Sequence, residues 1–214
     1  MIRTYISKLL SPTLKSYIRN LQGKTRHYDW SDVQKIIKKE AKICSDNMRV
    51  GFVTSSGGHR AGNLFEPGLS LALNNSGIKT SVLLCDGALS ACNISEYGNQ
   101  SKKIDKFIIG GPKKTGTCND CINRGIETWK TTCSDIYTYS NYVDNSKISY
   151  FTKDFIKDFK FKYRGHEIGE HVKSASLRFL CRGTFDFDQP ETIKIIKKYF
   201  DAAIDTVDVA IGYF

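Results

Sequence analysis

The densest concentration of chemistry-bearing residues in this 214-residue sequence is the turn Thr54-Ser55-Ser56-Gly57-Gly58-His59. It stands between a short apolar run, Arg49–Thr54, and a segment with helical spacing, Asn63–Asn75. A Gly-rich turn between a first parallel strand and the next helix aims several backbone N–H groups at one point, and an anion held there also meets the positive end of the helix dipole. Ser55, Ser56, Gly57 and Gly58 are therefore candidate phosphate-binding residues. His59, at the mouth of the helix, suits a general base or a donor to an oxyanion, and the alternative is that it only caps the turn. After Gly57 the next glycines are Gly58 and Gly62, and no Lys-Ser/Thr pair follows. That spacing disfavours a dinucleotide or nucleoside-triphosphate site.

Cysteines form the second constellation. Seven are an odd number, which argues against a simple disulfide framework. Cys118-x-x-Cys121 is a usual half-site for zinc or an Fe–S cluster, whereas Cys85-x6-Cys92 matches zinc-ribbon spacing poorly. If both pairs follow parallel strands, the four sulfurs face one side of the sheet and could hold a structural metal. The competing reading is that they are buried small hydrophobes and surface thiols. His166-Glu167-Ile168-Gly169-Glu170-His171 departs from the H-E-x-x-H zinc motif, because its histidines are five residues apart; on a helix it gives two i,i+4 pairs on different faces. Asp86 follows the second apolar run, where a Rossmann protein often places a ribose-binding acid.

The elements that must position these residues are legible as a β-α-β pattern. Arg49–Thr54 reads as a buried strand, Asn63–Asn75 as a helix through Leu64, Leu69, Leu71 and Leu73, and Thr80–Cys85 as a second buried strand. Lys106–Ile109, ended by Gly110-Gly111-Pro112, is expected as a third strand, and Ile136–Tyr139 as a fourth, with a helix near Cys121–Thr132 between them. Helical spacing then runs through Lys153–Lys160, His166–Leu180 and Pro190 to about Tyr213. The expected fold class is α/β, a Rossmann-like parallel sheet covered by helices on both faces.

Residues 1–48 read as a basic helical extension ahead of a domain spanning 49–214. That extension carries ten Lys or Arg against four Asp or Glu, within a chain of formal net charge +10. Such a balance fits an anionic membrane surface, a diphosphate substrate, nucleic acid or a solvated surface, and no nucleic-acid motif accompanies it. With neither a spanning apolar run nor a secretory signal, the expected location is the cytoplasm, with peripheral contact at the inner face of the membrane as an option.

A strand followed by Ser56-Gly57-Gly58-His59 resembles the opening of GT-B glycosyltransferases that act on lipid diphosphate acceptors. The run Val82–Cys92, the Cys118-Asn119-Asp120-Cys121 segment, Tyr137–Tyr142, and Gly169–Val172 through Leu177–Thr184 are similar to the N-terminal half of bacterial capsule or surface-polysaccharide glycosyltransferases. The resemblance implies the acceptor-binding half of a GT-B enzyme. His59 would be catalytic; Ser55, Ser56, Gly57, Gly58, Glu170 and His171 would line the acceptor side. The acceptor would be lipid-linked or a saccharide. A further half, beyond Phe214 or in a separate polypeptide, would bind the nucleotide-sugar, and transfer would need no cofactor. From a different class, the same residues fit a non-catalytic assembly module with structural zinc or Fe–S at Cys85, Cys92, Cys118 and Cys121.

Overall fold

The computed structural model describes residue 35 and residues 48–54, 57, 59, 62–95, 103–133, 135–144 and 149–214. The helices expected within 1–48, and Ser55, Ser56 and Gly58, lie outside the described residues. The chain is α/β and forms two compact units: one comprises Met1–Leu84 with Asn119–Tyr137, the other Cys85–Cys118 with Thr138–Phe214.

The first unit is built on a parallel sheet of order β1-β2-β3, with β1 at Arg49–Thr54, β2 at Lys79–Leu84 and β3 at Asp135–Thr138. β1 and β2 pair in register from Arg49 opposite Lys79 to Thr54 opposite Leu84. Strand alternation sends Phe52, Val82 and Leu84 to one face, where they pack with Trp129 and with Val50, Leu73 and Ile136. Two helices serve this face: α1 (Gly62–Asn75), through Leu73, and α3 (Thr117–Trp129), through Trp129. On the opposite face Arg49, Gly51 and Val53 of β1 are exposed, whereas Leu83 of β2 is fully buried.

α1 is docked by polar contacts as much as by apolar ones. Ser70 Oγ donates to the Thr132 carbonyl at 2.6 Å and Asn74 Nδ2 to the same oxygen at 2.8 Å. Since the Ser70 proton is used there, the Thr80 hydroxyl donates to Ser70 Oγ across 2.7 Å. With Asn63, Pro67, Ser70 and Leu71 turned inward, Leu64, Phe65 and Leu69 face outward, and Phe65 is 73% exposed.

The second unit is helical. Its longest element is α6 (Pro190–Tyr213), which proline opens at its first turn as the sequence led one to expect. α6 packs on α5 (Gly169–Leu180) around an aromatic core. Within it, Phe107 stacks on Phe179 at 4.5 Å, and Phe200 meets Phe155 at 4.7 Å and Phe161 at 4.9 Å. The short α4 (Phe155–Asp158) is what forms within the predicted Lys153–Lys160 helix.

Two sequence expectations are overturned here. Lys106–Ile109 is no strand: it lies in α2 (Ile104–Thr115), a helix kinked at Gly110 and at Gly111, whose φ is +62°. Phe107 is fully buried whereas Ile109 is 75% exposed, so the apolar run splits across two sides of a helix. His166-Glu167 is no helix start either. These residues form β5, antiparallel to β4 (Lys162–Tyr163), across a turn in which Arg164 and Gly165 both have positive φ. Asp208 of α6, itself 7% exposed, fixes that hairpin by accepting from Arg164 Nε at 3.1 Å and from the Tyr163 hydroxyl.

The helical register of α2 has a direct consequence for stability. Phe107→Ala is expected to cost about 3–5 kcal/mol and Ile109→Ala under about 0.5 kcal/mol, read from urea unfolding midpoints; similar losses at both positions would point back to a strand.

Candidate functional site

The site begins where β1 ends. Gly57 is buried, and a methyl group built on it would overlap the Cys121 carbonyl oxygen and sit 2.6 Å from the Gly125 Cα. From the other side, a methyl on Gly125 would lie 3.2 Å from the Gly57 Cα. Gly57 is thus pressed backbone to backbone against α3, and its missing side chain makes room for a helix. Cys121 takes part in this contact through its backbone carbonyl.

Two hydrogen bonds from one residue lock the chain as it turns into α1. The Asn63 side-chain amide donates to the Gly57 carbonyl, and the Asn63 backbone N–H donates to the His59 carbonyl at 3.0 Å. Asn63 is only 7% exposed and its Oδ1 has no hydrogen-bond partner. Sequence reasoning passed over Asn63; the signal available was an amide side chain in the first turn of a helix that follows a glycine turn.

His59 is exposed, and its Nδ1 accepts the Gly62 backbone N–H at 3.1 Å. It therefore caps α1, the simpler of the two roles set out for it. The cap has a chemical consequence: a nitrogen that accepts carries no proton, so the neutral ring holds its proton on Nε2. That N–H is a donor presented to solvent. In this state the ring suits an anionic or carbonyl oxygen better than it suits the abstraction of a proton. The Gly62 and Asn63 N–H groups are already used by His59, so the described part of the helix N-terminus offers the imidazole in their place. One turn on, Leu64, Phe65 and Leu69 form an exposed apolar face.

The remaining predicted residues are dispersed in their roles. Glu170 and His171 are exposed on α5 of the second unit, where Glu170 pairs with Lys173 at 3.8 Å. Asp86 accepts from the Ser140 backbone N–H at 3.2 Å and from its hydroxyl, closing the 3-10 turn Tyr139–Asn141. Within that turn, burial and, to a lesser degree, the neighbouring Cys85 thiol push the Tyr139 phenol up to about 12. Cys85, Cys92, Cys118 and Cys121 are not joined in disulfides. Convergence of the four was expected from parallel strands, and the strand expected before Cys118 is the helix α2. Among the described residues no three His, Cys, Asp or Glu side chains gather as a metal site. Nor is any helix among them long and apolar enough to cross a membrane.

No family, curated protein or solved structure matches the chain.

The close approach of Gly57 to α3 separates two glycines that look alike in sequence. Gly57→Ala is expected to lower stability by about 3 kcal/mol through backbone overlap. Gly125→Ala is expected to stay within about 1 kcal/mol of wild type, because alanine's helix preference offsets the tighter contact. Chemical unfolding of the two variants side by side checks the difference.

Proposed function

We propose that this chain is the acceptor-binding part of a glycosyltransferase acting on a lipid-linked diphosphate in surface-polysaccharide synthesis, working at the cytoplasmic face of a membrane. The observation that carries the reading is His59, capped on Nδ1 and presenting Nε2–H at the N-terminus of α1. A diphosphate oxygen fits that donor, and the helix dipole adds to the attraction. Leu64, Phe65 and Leu69, exposed on the same helix, suit an isoprenoid chain. The strand-turn-helix carrying Gly57 and His59, in an α/β unit with a parallel sheet, is compatible with the GT-B half that the sequence resembles. In this reading His59 orients the acceptor and neutralises charge, while the nucleotide-sugar is bound by a second α/β domain.

Isothermal titration with farnesyl diphosphate and with inorganic pyrophosphate tests the assignment. Farnesyl diphosphate should bind more tightly than pyrophosphate, and His59→Ala should weaken both about tenfold, the worth of one charge-assisted hydrogen bond. Equal affinity in wild type and His59→Ala would remove the diphosphate from this turn.

A further inference from the structure

Ile109 of α2 stands 75% exposed on the second unit, although it is a large apolar residue. What surrounds it is basic. Lys106, three residues earlier, lies on the same side of the helix. A methyl group built on Gly110 would meet Lys114 Cβ at 2.7 Å and Cγ at 3.1 Å, so the Lys114 stem lies over Gly110, beside Ile109. Lys198 Nζ of α6 donates to the Ile109 carbonyl at 3.3 Å. Three lysines are thus brought to one isoleucine by three different means: helical spacing, a glycine, and a contact between helices.

The kink in α2 holds the arrangement. A side chain at Gly111 would overlap the Ser90 carbonyl oxygen, Ser90 Oγ donates to the Lys198 carbonyl at 2.7 Å, and the Lys198 ammonium returns to Ile109. Lys106, Lys113 and Lys114 are exposed and make no ion pair with a described residue. The acids of these segments do not balance them. Lys103–Thr115 carries four Lys against Asp105 alone, and residues 96–102 add one acid, Glu96, and one base, Lys102. On α6, Asp201 is paired with Lys197 at 2.5 Å.

We propose that this patch docks the chain on an anionic lipid bilayer, with Ile109 entering the headgroup boundary and Lys106, Lys114 and Lys198 facing lipid phosphates. Lysine stems lie along apolar surface while their ammonium groups reach the headgroups, so a bilayer rewards both features at once. A nucleic-acid backbone gains nothing from an isoleucine at the centre of the contact. Lysine is also depleted in protein interfaces, where arginine and aromatic side chains are enriched. The proposal deepens the functional reading above, on which it rests for the membrane face at which the chain works, but the patch shares no residue with the diphosphate turn.

Co-sedimentation of the 214-residue chain with vesicles of phosphatidylcholine, and of an equimolar mixture of phosphatidylcholine and phosphatidylglycerol, tests it. The neutral vesicles should bind about tenfold more weakly than the anionic ones. Ile109→Ser, and Lys106→Ala combined with Lys114→Ala, should each weaken anionic binding about tenfold, and His59→Ala should leave it unchanged. The three patch positions are exposed, so these variants keep the fold, which circular dichroism checks. The proposal is overturned if the folded chain does not bind anionic vesicles, if it binds both kinds equally, or if both patch variants bind as wild type does. Loss in the lysine variant with none in Ile109→Ser also overturns it, since that is how a nucleic acid or an acidic protein read by charge alone would behave. Intact vesicle binding by a chain that fails to bind farnesyl diphosphate would remove the diphosphate reading and uphold the docking surface.

Discussion

The close passage of Gly57 against Gly125 is the constraint on which the described site depends. A strand leaving a parallel sheet can enter the next helix by many routes. Here the route is fixed because the backbone at Gly57 leans on the Cys121–Gly125 turn of α3. Asn63 then ties the first turn of α1 to the Gly57 carbonyl, and His59 closes the end of the helix. The imidazole's orientation, and with it which nitrogen bears the proton, follows from a packing contact between two backbones.

The same constraint sets what α1 shows to solvent. Its inward face carries Asn63, Ser70 and, at the margin, Asn74, whose hydrogen bonds reach Gly57, Thr80 and Thr132. Polar groups buried this way are costly to leave unmade, so they fix the rotation of the helix more sharply than leucines would. Leu64, Phe65 and Leu69 are left outside as the counterpart of that rotation. The apolar face that α1 shows to solvent thus results from how the helix is docked.

Much of this framework could be read from the residues. β1 matches its expected span residue for residue; α1 and β2 start one residue earlier than read, and α6 starts at the proline that marked it. Those segments pair a clear apolar period with a clear boundary. Lys106–Ile109 was misread because a four-residue apolar run has no period of its own; only the burial of Phe107 against the exposure of Ile109 reveals a helix. His166-Glu167 was misread because its partner is distant: Asp208, more than forty residues on, holds Tyr163 and Arg164 and so makes the hairpin. Of the site, the turn and His59 were legible, while Asn63 and the Nδ1 cap required three-dimensional structure. Asp86, which looks like chemistry in sequence, closes a turn.

The protonation pattern of one ring is therefore the point at which packing becomes chemistry. Nitrogen-15 NMR of the His59 imidazole, at a pH where the ring is neutral, measures it directly. The expected spectrum has the proton on Nε2 and an unprotonated Nδ1 that shifts when the Gly57–Gly125 contact is disturbed. A neutral His59 ring with its proton on Nδ1 would contradict the cap, the donor it presents and the ligand chemistry drawn from it.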